Sequence, residues 1–222
     1  LNPMSNQVAV VGPFNGCTSV IDIAIDQNSN GYVTTSDGFY KVDLMTAACT
    51  LVASGGYPNS LSFVPKGTLD PNVEALVGYD GSTYIRINET TGAITTVGGL
   101  TGGYTSSGDI VSVINGGTFL TVKGGNQNCN DCLLQVDPKT GNLIQNYGSV
   151  NHPDVFGLAF WAGTAYGFDN GGEVFSIDYK NGSLVTMNIP VPNPPPNLSF
   201  WGAGSTTAAP PTSADGGGIP VQ

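Results

Sequence analysis

The sequence contains very little charge and almost no basic side chains. Only 10% of its 222 residues are charged, against roughly 25% in ordinary soluble domains. Six lysines and arginines face sixteen aspartates and glutamates, which gives a net charge of −10. The basic residues are scattered singly, so there is no basic stripe to neutralise phosphates. This composition argues against nucleic acid as a partner and disfavours an anionic membrane surface.

Long apolar runs and helical patterns are also missing. No apolar stretch approaches the ~20 residues of a transmembrane helix, so the sequence predicts no membrane span. The Gly-rich phosphate-binding patterns of Rossmann and P-loop enzymes are absent as well. Residues 1–4 carry no signal-peptide features, so we expect the chain to start after any such peptide, or to be a piece of a longer protein.

What remains is a pattern of short strands and turns. Apolar and polar residues alternate over runs of 4–8 residues, and clusters of Gly, Asn and Asp separate these runs. Glycine alone accounts for 32 residues. Period-two alternation bounded by turn residues predicts an all-β chain built of hairpins.

A four-stranded unit recurs along the chain with a period of 38 to 49 residues. The third strand of each unit ends in an apolar-polar-apolar-Asp/Asn step followed by a tight turn. These steps are Tyr40–Asp43, Ile85–Asn88, Leu134–Asp137 and Phe175–Asp178. Each unit opens with a strand carrying a small residue near its middle, as innermost strands around a channel require. The period and strand count predict β-propeller blades, with a β-sandwich or a solenoid as alternatives.

The first unit, Gly31-Tyr-Val-Thr-Thr35 followed by Gly38–Asp43, resembles the YVTN- and NHL-type propeller repeats of secreted bacterial proteins. The Asp-x-x-Thr-Gly turns of later units resemble the same group. The resemblance covers roughly residues 17–200 and implies an architecture only, since propellers include hydrolases, lectins, scaffolds and adhesins.

The two ends of the repeat region predict how the ring closes. Residues 8–12 have the pattern of the fourth, outermost strand of a blade, but no other strands of that blade precede them. Leu198–Phe200 has the pattern of the opening, innermost strand of a fifth blade. Together they predict a five-bladed ring whose last blade is shared by both termini, with a four-bladed ring as the alternative. The propeller would span residues 1–207. The Pro/Gly-rich tail, residues 208–222, is expected to dock on a neighbouring subunit and form a homo-oligomer, with docking on its own propeller as the alternative.

Four cysteines indicate an oxidising compartment. Their even number in a Gly-, Thr- and Asn-rich chain predicts the disulfides Cys17–Cys49 and Cys129–Cys132. A zinc site and a redox dithiol are the rival interpretations of the Cys129-x-x-Cys132 spacing. We therefore expect an extracellular or cell-surface location.

Two further patterns concern the surface loops. Asp26, Asn28 and Asn30 match the first half of a calcium loop, although the same residues are typical of a simple hairpin turn. No other cofactor is predicted. N-glycosylation sequons begin at Asn88, Asn181 and Asn197, and matter only in a host that glycosylates secreted proteins.

Carboxylates in the inner strands raise the possibility of an enzyme. Asp22 and Asp109 open equivalent strands, and Glu74 is a possible acid partner. A glycosidase needs such a pair of carboxyl groups. The alternative is that each aspartate bonds nearby backbone amides, and no Ser-His-Asp pattern accompanies them.

Aromatic residues suggest a binding surface. Trp161 and Trp201 follow two equivalent opening strands, and Tyr57 and Tyr104 follow fourth strands. Aromatics at one rim of a ring could stack on sugars or on a partner, and packing between blades is the alternative.

The function that these features favour is a non-enzymatic secreted propeller, acting as an extracellular or cell-surface interaction or self-assembly module. Its partner would be a protein or a glycan at the cell surface. The alternative is a glycan-active propeller, either a lectin or a glycoside hydrolase.

Overall fold

The computed structural model describes residues 2, 9–180 and 183–212. Sixteen β-strands form in these residues, and no helix among them could cross a membrane. The strands are β1 Val20–Ile25, β2 Gly31–Thr35, β3 Gly38–Val42, β4 Cys49–Ser54, β5 Leu61–Val64, β6 Ala75–Asp80, β7 Thr83–Ile87, β8 Ile94–Gly99, β9 Tyr104–Val113, β10 Gly117–Gly124, β11 Cys129–Val136, β12 Leu143–Ser149, β13 Val155–Trp161, β14 Thr164–Asp169, β15 Val174–Asp178 and β16 Val185–Ile189.

These strands form four antiparallel sheets, each with its four strands in chain order. The first strands of successive sheets contact one another, β1 with β5, β5 with β9 and β9 with β13. The sheets are therefore blades 1 to 4 of a four-bladed β-propeller, with the first strand of each blade innermost. The four repeats predicted from the sequence are confirmed.

The turn between the third and fourth strands forms as the sequence predicts. In blade 2 the side-chain oxygen of Asn88 accepts hydrogen bonds from the backbone N–H groups of Thr90 and Thr91, at 3.0 and 2.9 Å. The turn ends at Gly92, whose φ of 69° lies in the left-handed region that favours glycine. Side-chain acceptance of backbone amides fixes this turn locally, which is why the repeat is visible in the sequence.

Apolar side chains fill the space between consecutive blades. Val77, Tyr79 and Leu120 belong to the core between blades 2 and 3, and Phe39 and Phe63 to the core between blades 1 and 2. A third core, which includes Phe119 and Phe160, joins blades 3 and 4. Each blade buries both of its faces except at the junction of blade 4 with blade 1.

At this junction the described residues form no composite fifth blade, and Val8 of the predicted outer strand lies outside them. Residues 9–12 and 198–203 belong to no strand, and Val10 and Val11 are 74% and 56% exposed. Asn15 bridges Ala48 beside the outermost strand of blade 1, and Cys17 is bonded to Cys49 there. These two anchors hold residues 15 and 17 beside β4.

The C-terminal segment, residues 202–207, occupies the inner side of this gap instead. Gly202 lies against Asp22 of β1 and Gly157 of β13, and a Cβ at position 202 would collide with the Asp22 side chain. Ser205 accepts a hydrogen bond from the Phe160 backbone N–H at 3.0 Å. Glycine is required here because two inner strands flank the segment closely.

The predicted fifth inner strand at Leu198–Phe200 is therefore wrong. Leu198 packs against Gly172, and the Phe200 N–H donates to the Asp169 carbonyl at 3.3 Å, so both residues lie beside the β14–β15 turn. Residues 197–200 have the sequence pattern of an opening strand, but no neighbouring strand pairs with their backbone.

The described part of the Pro/Gly-rich tail packs on its own ring. Ala209 is 2% exposed and belongs to the core between blades 3 and 4, and the carbonyl of Thr207 accepts a hydrogen bond from Ile114. Residues 213–222 lie outside the described residues. Docking of the tail on a neighbouring subunit stays a prediction.

Both predicted disulfides form. The Cα atoms of Cys17 and Cys49 are 5.6 Å apart, and those of Cys129 and Cys132 are 5.4 Å apart. The second disulfide lies on β11. Two disulfides indicate an oxidising environment, such as the cell exterior or the periplasm.

We expect the two disulfides to contribute unequally to stability. Cys17–Cys49 closes 32 residues and Cys129–Cys132 closes three. Loop-closure entropy gives about 3–4 kcal/mol for the first and about 2 kcal/mol for the second. Urea unfolding of Cys17→Ser/Cys49→Ser and of Cys129→Ser/Cys132→Ser tests this ranking, and the reverse order would contradict it.

Candidate functional site

The structure brings Asp22 and Asp109 together in the centre of the ring. They belong to β1 and β9, which lie on either side of β5, and they are 1% and 0% exposed. The Asp109 carboxylate accepts the backbone N–H groups of Leu158, at 2.7 Å, and Ile110, at 2.6 Å. Asp22 accepts the N–H of Ile23 at 2.8 Å. The two side chains therefore link inner strands of three blades.

We expect the Asp22–Asp109 pair to share a proton. Within the described residues, Asp22 Oδ2 is a buried oxygen without an N–H or hydroxyl partner, and the Asp109 carboxyl lies within hydrogen-bonding reach of Asp22. Burial raises the pKa of both carboxyl groups well above the usual range. The Asp109 charge raises the Asp22 pKa further, whereas hydrogen bonds to Asp109 oppose its rise. We therefore expect Asp22 to be the protonated member of the pair and to donate to Asp109.

This geometry suits a structural tie better than glycosidase chemistry. A glycosidase holds its two carboxyl groups about 5 Å or more apart, with the scissile bond between them, and these two are in direct contact. Gly202 covers Asp22, so no substrate reaches the pair. The sequence found both residues, and only the fold shows that they touch.

Glu74 lies away from this pair, near the ends of the inner strands. Its carboxylate accepts the N–H of Gln27, just after β1, at 2.8 Å, and the hydroxyl of Thr207. Thr207 is fully buried and Glu74 is 7% exposed. The contact fastens the C-terminal segment where it leaves the centre of the ring.

The Asp26 loop has the hydrogen bonding of a hairpin turn. Asp26 Oδ1 accepts the backbone N–H groups of Asn28 and Asn30, at 2.8 and 2.7 Å, and Oδ2 accepts the Asn30 side-chain amide at 2.8 Å. A calcium ion bound here would have to displace these bonds.

Trp161 and Trp201 lie near opposite ends of β13. Trp161 is the last residue of that strand, and Trp201 stacks on Phe156 near its start, with ring centroids 5.8 Å apart. The two tryptophans therefore do not share one rim.

Tyr57 and Tyr104 take part in packing between and within blades. Tyr57 packs on Phe39 and donates its hydroxyl to the Gly92 carbonyl at 2.8 Å. Tyr104 is 6% exposed, and its hydroxyl accepts a hydrogen bond from Asn146. The ring of Tyr104 offers no open face to a ligand.

An apolar groove runs between blade 4 and the C-terminal segment. It has a volume of about 290 Å³. One wall is the face of blade 4 that a following blade would cover. The other wall is the C-terminal segment, which lies where the inner strand of that following blade would be. The lining residues are Ala159, Phe160, Trp161, Tyr166, Phe168, Val174, Phe200, Gly202, Ala203, Gly204 and Ser205. Of these, only Trp161 was predicted from the sequence to be a binding residue.

The opposite wall of the gap is the outer face of blade 1. Val20, Tyr40 and Leu44 are half-buried there, around the buried Cys17 and Val33. Both terminal blade faces are thus less completely covered than the faces between consecutive blades.

Two sequons lie on exposed positions. Asn88 begins the blade 2 turn, and Asn197 has a φ of 58° in the loop before the C-terminal segment. Asn181 lies outside the described residues.

No protein-family model matches the sequence, and no curated protein is found to be related to it. Among solved structures, a gluconolactonase from Xanthomonas campestris is similar, with a TM-score of 0.58 and 15% identity over 87% of this chain and 68% of that chain. Hydrazine synthase from Kuenenia stuttgartiensis has a TM-score of 0.47 and 12% identity over 81% of this chain. The chain spans 56% of that hydrazine synthase chain.

A PQQ-bound aldose sugar dehydrogenase from Streptomyces coelicolor is a third similar structure. Its TM-score is 0.46, with 10% identity over 79% of this chain and 82% of that chain. At these identities the likeness to the gluconolactonase supports the β-propeller fold alone. The propeller architecture that the YVTN/NHL resemblance implied is shown, without assignment to that family.

The shared proton predicts how Asp22→Asn changes the response to pH. The raised folded-state pKa means that the native protein retains a proton which the unfolded chain loses above pH ~4. The free energy of unfolding should therefore fall, by up to about 1.4 kcal/mol per pH unit, as pH rises from ~4 to the folded pKa. Asp22→Asn removes this loss because the amide donates to Asp109 at every pH. Urea unfolding at pH 5 and pH 8 measures how far the free energy of unfolding falls with pH in the native protein and in Asp22→Asn.

Asp109→Asn is the matched control. Its amide N–H₂ would face the N–H of Leu158 or Ile110, so it should lower the free energy of unfolding by roughly 1–3 kcal/mol. Equal pH slopes in the native protein and Asp22→Asn would contradict the shared proton.

Proposed function

We propose that this protein is a non-enzymatic extracellular assembly module, in which the N-terminal strand of one copy completes the fifth blade of the next. The observation that carries the proposal is that two complementary features, a groove and an apolar run, both lack a partner among the described residues. An apolar groove occupies the place of a missing blade. The apolar run at residues 8–11 has strand-forming residues, and its described part, residues 9–11, is exposed and has no strand partner.

The N-terminal segment has the properties of a donor strand. The sequence Val8-Ala-Val-Val11 consists of β-favouring and small apolar residues without charge. Val10 and Val11 are more than half exposed, which is unfavourable for a monomer in water. Burial against a second copy would remove this cost.

The groove has the properties of an acceptor. Aromatic rings of Tyr166, Phe168 and Phe200 form its walls, and the backbone of residues 202–205 lies at its inner side without belonging to a sheet. An added strand beside this segment would gain main-chain hydrogen bonds and place alternate side chains against the rings.

Assembly between copies is favoured over closure within one chain. The Cys17–Cys49 disulfide and the Asn15–Ala48 bridge fix the N-terminal segment on the outermost strand of blade 1. The groove lies near the centre of the ring, against β13. A donor at the periphery and an acceptor elsewhere on the same chain form a head-to-tail contact, which generates filaments or closed rings.

The low charge of the chain is compatible with this function. Neither the donor run nor the groove lining contains a charged residue, so burial of the interface would leave no ion unpaired. The two disulfides fit a role outside the cytoplasm.

Donor and acceptor variants test the proposal by light scattering after size-exclusion chromatography. We expect the native protein to form oligomers whose size grows with concentration. Val10→Asp/Val11→Asp at the donor and Ala159→Arg at the groove should each weaken self-association by about tenfold or more. Val185→Asp is the matched control, because Val185 is 59% exposed on the outermost strand of blade 4.

Mixing the two defective variants separates this contact from other kinds of association. One intact donor and one intact acceptor remain in the mixture, so a discrete dimer should form and no larger species. Phe200→Ser provides a second groove variant if Ala159→Arg disturbs folding. A native protein that stays monomeric, or variants that assemble like Val185→Asp, would refute the proposal.

A glycan-binding function is supported by one separate observation. Trp201 is 57% exposed and stacks on Phe156, which leaves an indole face available to a sugar ring. If this function holds, affinity electrophoresis in polysaccharide gels should show retardation that Trp201→Ala abolishes. Phe14→Ala, at another exposed aromatic, should leave it intact. Retardation that survives in Trp201→Ala would exclude this site.

A further inference from the structure

His152, the single histidine of the chain, lies in a defined pocket. Its ring stacks on Phe175, with centroids 3.7 Å apart and planes 6° from parallel, and its side chain is 10% exposed. His152 Nδ1 lies 3.4 Å from Asp169 Oδ2 and 3.1 Å from Glu173 Oε2. The packing on β15 fixes its ring and aims Nδ1 at two carboxylates.

A single ring nitrogen does not satisfy both carboxylates well. Nδ1 carries at most one proton, so it can donate one good hydrogen bond. Asp169 is almost fully buried. Its Oδ1 already accepts the Glu173 N–H at 2.9 Å. Among the described residues, His152 is the hydrogen-bond partner of its Oδ2. No lysine or arginine of the described residues forms an ion pair with either carboxylate within 4.0 Å. A buried carboxylate beside a second one calls for a cation.

The distances fit a small divalent metal ion. Zinc binds imidazole nitrogen and carboxylate oxygen at about 2.0–2.2 Å in tetrahedral geometry, so neighbouring ligand atoms lie about 3.3–3.6 Å apart. The two distances from His152 Nδ1, 3.1 and 3.4 Å, are close to this range. The three ligand atoms all lie within 4.8 Å of one another. Only small adjustments of the half-exposed Glu173 side chain would close the site around an ion.

We propose that His152, Asp169 and Glu173 form a zinc-binding site on blade 4. Nδ1 of His152 and one oxygen from each carboxylate supply three ligands, and the fourth position faces solvent on the side of Glu173. Parallel stacking on Phe175 and the hydrogen bond from the Glu173 N–H to Asp169 preorganise two of the ligands before the metal arrives.

The site has a structural consequence for the C-terminal segment. Asp169 also accepts the Phe200 N–H through its carbonyl, and the neighbouring Asn170 side chain accepts the Ser199 hydroxyl at 2.5 Å. A metal that fixes the β14–β15 turn therefore braces the surface on which residues 198–200 rest. This site and the proposed assembly groove involve different side chains, so either can hold without the other.

Calorimetric titration of the metal-stripped protein with zinc tests the site. We expect one zinc per chain, and an increase of several degrees in the melting temperature at saturation. Glu173→Gln should weaken zinc binding roughly tenfold or more, and His152→Gln should do the same. Because Glu173 is 52% exposed, its substitution tests the site even if the histidine variant fails to fold.

Glu89→Gln is the matched control, since Glu89 is a partly exposed glutamate on blade 2 that accepts the Leu76 N–H. It should bind zinc as tightly as the native protein. Substitution of cobalt for zinc gives a second readout, because tetrahedral cobalt has a strong visible absorption that the Glu173→Gln protein should lack. Absence of stoichiometric binding, or equal affinity in Glu173→Gln and Glu89→Gln, would overturn the site.

Discussion

A propeller blade is a sheet with two apolar faces, and each face must be covered by a neighbouring blade. Three of the four junctions in this ring meet that requirement with continuous cores, as between blades 2 and 3, where Tyr79 and Leu120 are fully buried. The fourth junction has to be closed by other means. The position of the C-terminal segment, the groove beside it and the exposed N-terminal run all follow from this single incomplete junction.

The centre of the ring is closed by polar contacts and small residues. Asp22 and Asp109 lie buried beside each other and accept backbone N–H groups from several blades, while Gly202 fits against Asp22 because it has no side chain. Glu74 then holds Thr207 where the segment leaves the channel. Buried polar groups of this kind are stable only when fully satisfied, so the carboxyl pair and the glycine depend on each other.

Blade 4 carries most of the features without a partner. Its outer face forms the apolar groove, its β14–β15 turn supports residues 198–200, and its His152, Asp169 and Glu173 side chains converge on one point. Blades 2 and 3, which have neighbours on both sides, use their aromatic residues for packing, as Tyr104 shows. Proposed functions therefore concentrate where the repeat is broken rather than where it is regular.

The sequence alone determined the features that depend on neighbouring residues along the chain. Alternation predicted the strands, Asp and Asn steps such as Asn88 predicted the turns, and cysteine spacing predicted both disulfides, because each signal lies within one repeat. It also selected Asp22 and Asp109, though not their contact.

Only the tertiary structure decided the contacts between distant segments. It placed residues 202–207 rather than 197–200 in the centre, left residues 9–12 outside any strand, and packed His152 against Phe175. Local patterns cannot specify these outcomes, because an opening-strand motif such as Asn197–Phe200 becomes a strand only when a neighbouring backbone is within reach. Which backbone is within reach depends on the Cys17–Cys49 disulfide and on the contact of Gly202 with Asp22. These position the segments that precede blade 1 and follow blade 4.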